Sequence, residues 1–268
     1  MIRTSEVKKL IGILEIFILI IPLSFTTCLS ILNLVVLLNS YRKTGETTIL
    51  NIAIIFLAST ITFFLLDVAI FFKPVNQPTM FLLANIFVWI IFFQINQGFL
   101  SAFLNNTHFF ERYLPGIFGS AIFMALLGAL FPERYFLMNP YKLELGIFLL
   151  SGFLILYIFG IAWIRITNSL TQFEGEEARL LISTRRIIAV APLCVTYTFI
   201  SVYLWLTTRG LTNLTLNIEM WNIIDWITYF NVPIYLFVFL GVFYEFSKLK
   251  FEEIDIPNIL NTLDSPKE

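Results

Sequence analysis

The sequence predicts an all-α fold: a polytopic integral membrane protein, with seven transmembrane helices bundled into one domain. Three observations carry that expectation. Hydrophobic residues make up 58% of the 268-residue chain and charged residues 13%, against about 45–50% and about 25% in ordinary soluble domains. There are 30 phenylalanines, more than a soluble core of this size needs and well suited to lipid contact. The apolar residues also gather into seven stretches of roughly membrane-crossing length, about 20 residues each, with charges and turn residues between them.

The first segment, about 10–39, far exceeds the short apolar core of a secretory leader. The stretch SYRKTGET separates it from the second, 49–72. FKPVNQP, with two prolines, precedes the third, 79–104. HFFERYLPG leads into the fourth, 114–131, which is short but uncharged. FPERYFLMNPYK leads into the fifth, 145–164. The longest connection, Arg165 to Arg186, contains FEGEEARLLISTRR and is too charged to span. It reads as a helix extending the sixth segment, 186–206, into water. TRGLTN separates that segment from the seventh, 219–244. Residues 1–246 are thus the membrane domain, and 247–268 a short polar cytoplasmic tail.

Basic residues favour the cytoplasmic side of short loops. Ten Lys and Arg side chains fall in the odd-numbered loops and the tail, and seven on the other side. The expected location is therefore a cell membrane, crossed several times, with the N-terminus outside and the C-terminus cytoplasmic. The patterns Asn105-Asn106-Thr107 and Asn213-Leu214-Thr215 match N-glycosylation acceptors but fall on opposite sides, so at least one is a chance match.

Without a hydrophobic drive between helices in lipid, small residues and polar contacts must join them. Ala121, Ala125 and Ala129 form such a small-residue stripe on the fourth segment. On the third, Gln94, Gln97, Gly98, Ser101 and Asn105 share a face expected inside the bundle, through interhelical hydrogen bonds or as a polar ligand pocket. Pro22, Pro192 and Pro233 would kink their helices.

Three acids interrupt the apolar runs. Glu15, Asp67 and Asp225 each lie roughly 8–9 Å inside a helix end, and up-and-down threading puts all three on the N-terminal side. Asn222, Asp225, Trp226 and Tyr229 share one face of the seventh segment. One reading sets the acids at the headgroup level. The other makes them an acidic cavity for a small cationic ligand, with Glu15, Asp67, Gln94, Gln97, Asn222, Asp225, Trp226 and Tyr229 as candidate ligand-binding residues.

Cys28 and Cys194 lie in apolar runs and read as small buried hydrophobes. The single histidine, His108, cannot support a metal set, and no cofactor motif is present. No nucleophile–base pair can be assembled, so an enzyme is not expected. No basic patch points to nucleic acid. A microbial rhodopsin would need a lysine in Ile223–Tyr244, which has none. Glu111-Arg112-Tyr113, at the expected end of the third segment, matches a motif of rhodopsin-like receptors, but Glu133-Arg134-Tyr135 repeats it elsewhere.

Seven Phe/Ile/Leu-rich helices, an external N-terminus and a basic lead-in to the sixth helix, Glu177-Ala178-Arg179 to Arg185-Arg186, together resemble the membrane region preceding many prokaryotic sensor histidine kinases. The tail here is too short to hold a kinase. The resemblance implies a stand-alone sensor or receptor-like module that signals through a protein partner on the cytoplasmic side. Arg112, Glu176, Glu177, Arg179, Arg185 and Arg186 would then be its contact surface. The alternatives are a small transporter or channel-like protein using the carboxylate layer, and an accessory subunit of a membrane complex.

Overall fold

The computed structural model describes residues 20–72, 77–103, 108–130, 141–190, 192 and 233–264. Among the described residues every regular element is helical. Five long helices follow the first five apolar segments: α1 (Ile21–Thr44), α2 (Thr47–Phe72), α3 (Gln77–Phe103), α4 (His108–Leu130) and α5 (Tyr141–Ser169). A 3-10 turn, Leu170–Gln172, leads to α6 (175–190), which runs through the charged connection into the start of the sixth segment. Then come α7 (Pro233–Phe246), a second 3-10 turn at Phe251–Glu253 and α8 (Ile256–Asp264).

Helices Ile21–Thr44, Thr47–Val68 and Leu149–Gln172 are long and apolar enough to cross a membrane. Ile86–Gln97, Pro115–Leu127 and Pro233–Phe246 are shorter apolar helices. The three long ones fall on the first, second and fifth expected segments; residues 10–19 of the first lie outside the described residues. Only 186–190, 192 and 233–244 of the sixth and seventh segments fall on them.

The burial pattern is that of a lipid-facing bundle. On α1, Phe25, Ile31, Leu32 and Val35 point outward, while Thr26, Thr27, Ser30 and Asn33 are buried. Large apolar groups facing out and hydroxyls facing in would be unfavourable in water. Cys28, expected to be buried, is exposed on the same outer surface; it stands three residues after Phe25 and four before Leu32, so helical geometry puts it there.

α1 ends because Gly45 adopts φ 72°, a left-handed conformation a side chain would disfavour, and its N–H caps Tyr41 O at 2.8 Å. Arg42 and Lys43 in the last turn suit the negative end of the helix dipole. With only Gly45-Glu46 between them, α1 and α2 form a tight antiparallel hairpin. α3 is central and packs against α2, α4 and α5. Its Trp89 is fully buried, edge-on to Phe92 and Phe118. Ala121 and Ala125 are fully buried on α4, as their four-residue spacing predicts. α7 joins α2 through rings: Phe239 meets Phe56 at 5.3 Å and Phe63 at 5.5 Å.

The tail is polar by composition but amphipathic by pattern. Ile256, Ile259 and Leu263 are buried, with Leu260 packed beside them, at the spacing of one helix face. α8 lies on α3 and α5, and the Phe251–Glu253 turn lies on α1. The backbone also places Glu111-Arg112-Tyr113 in the opening turns of α4, not at the close of α3.

Candidate functional site

Asp67 sits near the C-terminal end of α2, half-buried. The α1–α2 hairpin brings Ser24 and Thr27, one turn apart, against it. Thr27 Oγ1 donates to Asp67 Oδ2 at 2.9 Å, and Ser24 Oγ donates to Oδ1 at 3.5 Å. The Thr27 hydroxyl also lies 3.1 Å from the carbonyl of Leu23. A hydroxyl has one proton, so the two acceptors compete for it. An ionised Asp67 draws that proton across the interface. A protonated Asp67 can instead donate to Thr27 Oγ1, returning the threonine proton to Leu23.

The polar seam continues along α1 in three-residue steps. Ser30 Oγ donates to the Phe56 carbonyl at 2.9 Å and accepts from Thr60 Oγ1 at 2.8 Å. Asn33 Nδ2 donates to Leu29 O at 2.9 Å and to Phe239 O at 3.2 Å, tying α1 to α7. Among the described residues, Asn33 Oδ1 is buried with no partner. From Thr27 to Asn33 the seam runs roughly 9 Å along the helix. Among the described residues no cluster of His, Cys, Asp and Glu forms a metal site. A carboxylate with two hydroxyls is an all-oxygen set, suited to a proton or a small hard cation.

The other candidate ligand residues fall differently. Glu15, Asn222, Asp225, Trp226 and Tyr229 lie outside the described residues. Gln94 is half-buried and Gln97 is exposed, so Gln97 does not face inward as expected; Gly98 and Ser101 are described in backbone alone, and Asn105 lies outside the described residues. Trp89, Phe92 and Asn96 are buried on α3, spaced for one side of the helix. Asn96 Nδ2 donates to Ser151 Oγ at 3.2 Å, joining α3 to α5, and its Oδ1 is buried without a partner among the described residues.

The connection from Arg165 to Arg186 is bound up with the chain's own tail. Glu176 pairs with Arg179 and accepts the backbone N–H of Lys250 at 3.3 Å. Arg185 lies over the Trp163 ring at 5.7 Å. Glu245, just past the seventh segment, accepts from Arg186 at 2.8 Å and from Ser183 at 2.7 Å. The Arg186 guanidinium holds the Glu245 carboxyl below the ordinary carboxylate range; burial opposes it, and Ser183 reinforces it. Lys43 reaches Glu252 at 2.6 Å. Glu177 is half-buried, and Arg112 lies in α4, its side chain outside the described set. The ends of α1, α5 and α7, the length of α6 from Glu176 to Arg186 and the tail therefore form one linked polar platform.

Sequence inspection singled out Asp67 but not Ser24, Thr27, Ser30 or Asn96. The legible sign was the run Ser24, Thr27, Ser30, Asn33 at three-residue spacing in an otherwise apolar segment. Among the described residues the bundle defines a class, that of all-helical proteins with helices long and apolar enough to cross a membrane. Compared with known families, curated proteins and solved structures, the chain matches none.

Proposed function

We propose that this protein is a non-enzymatic seven-helix membrane sensor or receptor-like module, with an external N-terminus, that responds to a proton or small cation at Asp67. In this reading it signals through a protein partner at the polar platform. One observation supports it above others: α1 touches both ends of the pathway. Thr27 contacts Asp67, and Lys43, four turns on, contacts Glu252 of the tail. A change in the charge state of Asp67 alters the bonding of α1, and α1 is anchored to the platform.

The test uses full-length protein in lipid nanodiscs with spin labels on α5 and α8. Titrating pH, Na+ and K+ should change the label distance in the wild type and leave Asp67→Asn unresponsive. An identical response in the two proteins, or none in the wild type, rejects the reading. The seam from Ser24 to Asn33 favours a second reading, ion passage along the α1–α2 interface. Liposome flux abolished by Asp67→Asn, with the label distance unchanged, would select it.

A further inference from the structure

A groove of about 140 Å³ runs between α6 and α7. Ile187 and Val190 line it from α6, and Phe237 and Gly241 from α7. Its polar groups, Arg186 and Glu245, stand at the platform end. Gly241 adds no side chain to the groove wall, and a Cβ placed there would meet nothing within 4 Å, so the space beside it is open. Phe237 stands one turn before Gly241, and Tyr244 nearly one turn after, so both flank the gap. Lys248 places its ammonium 3.3 Å from the centre of the Tyr244 ring, which brings a second cation to the mouth.

We propose that this groove binds an anionic phospholipid, with an acyl chain along Val190, Phe237 and Gly241 and the phosphate at Arg186 and Lys248. The shape matches such a ligand: apolar along its length and cationic at one end, where the apolar helices give way to polar chain. The charge matches as well. Glu245 balances one of the two cations, which leaves one positive charge for one headgroup. Arg186 gives one nitrogen to Glu245, yet its side chain is 64% exposed, and a guanidinium carries five N–H donors in a planar fork. The phosphate can therefore bind without breaking the Arg186–Glu245 pair. The occupant would link α6 to α7 from the lipid side, reinforcing the contact that Glu245 makes within the protein. This proposal does not depend on the role of Asp67.

The test is native mass spectrometry of the full-length detergent-solubilised protein, with phosphatidylglycerol or phosphatidylcholine of matched chains added. Phosphatidylglycerol should be retained and phosphatidylcholine should not. Arg186→Gln and Lys248→Gln should each weaken retention about fivefold, following the contribution of one basic side chain near an anionic headgroup. Gly241→Leu sets a side chain into the open space of the groove, where its Cβ meets nothing within 4 Å, and should weaken retention by a similar factor with both cations intact. It also decides the matter if Arg186→Gln does not fold. Equal retention of the two lipids, or an unchanged Gly241→Leu, overturns the proposal. So does full displacement by inorganic phosphate, because the acyl chain would then contribute nothing.

Discussion

Thr27 and Asp67 are bonded across the α1–α2 interface by a hydroxyl that also faces its own helix, 2.9 Å from the carboxylate and 3.1 Å from Leu23 O. Replacing Thr27 with Val keeps the shape and removes the proton. Interhelical hydrogen bonds in membrane proteins contribute about 0.6 kcal/mol on average and about 1.7 kcal/mol at most. Thr27→Val should therefore cost about 1 kcal/mol in reversible unfolding from mixed micelles. The Thr27→Val, Asp67→Asn double variant should lose less than the sum of the singles. Strict additivity would mean that the two side chains do not interact.

Asn33 makes a different kind of joint. Its amide donates to two backbone carbonyls, Leu29 O and Phe239 O, and among the described residues its own oxygen is buried without a donor. Asn33→Ala should cost only about 1 kcal/mol, because losing the α1–α7 bond is partly offset by losing an unsatisfied oxygen. Asn33→Asp is nearly isosteric but sets an acid against two carbonyl oxygens in mid-helix. It should cost more, about 2.5–3.5 kcal/mol by the insertion scale. Unfolding of the two variants side by side checks the order. If Asn33→Asp is the milder, the amide does not bond as described.

These two joints show what was legible in the sequence and what was not. Thr26, Thr27 and Thr62 all return a hydroxyl to the carbonyl four residues back. Of these three, Thr27 alone also reaches another helix's side chain, as Thr60 does toward Ser30, and nothing in the local sequence separates it from the other two. Asp67 stood out because a carboxylate in an apolar run has no comparable local partner. Ala121 and Ala125 were legible because close packing needs only their small size and spacing. Gln97 misled because helical periodicity says which residues share a face but not which way that face turns. On α3 the buried aromatics Trp89 and Phe92 decided that, and they took Asn96 inward. The long-range bond from Glu176 to the backbone of Lys250 spans 74 positions and leaves no pattern to read.

Glu245 supplies a prediction with a definite sign. Its carboxyl is held below the ordinary range, chiefly by Arg186. A lowered folded-state value means that the pairing stabilises the protein above the unfolded value and stops doing so as pH falls through the folded one. The stability difference between wild type and Glu245→Gln should be constant near neutrality. It should then begin to fall as acid reaches the ordinary carboxylate range, and vanish only below it. With Arg186 largely in solvent, the plateau should be about 0.2–1 kcal/mol. Denaturant midpoints for both proteins across pH provide the measurement. A difference that grows in acid would contradict the pairing.

The tail helix is stable only where it is docked. α8 has nine residues, below the roughly 12–15 at which an isolated helix becomes even marginal in water. Its helicity must therefore come from Ile256, Ile259 and Leu263 against α3 and α5, and from the Arg165 guanidinium donating to Leu263 O at 3.4 Å. Burying one large aliphatic side chain contributes about 1.5–3 kcal/mol. Ile259→Asp removes that contribution and adds a charge the interface cannot satisfy. Amide exchange across 256–264 should then quicken by at least about tenfold to a hundredfold, since each 1.4 kcal/mol is a factor of ten. Exchange across the α1–α2 hairpin should stay as it is, because no α8 side chain takes part in the seam from Ser24 to Asn33. Acceleration in both regions would show that the tail holds the whole bundle together. Acceleration in neither would show that α8 is a stable helix independent of its contacts.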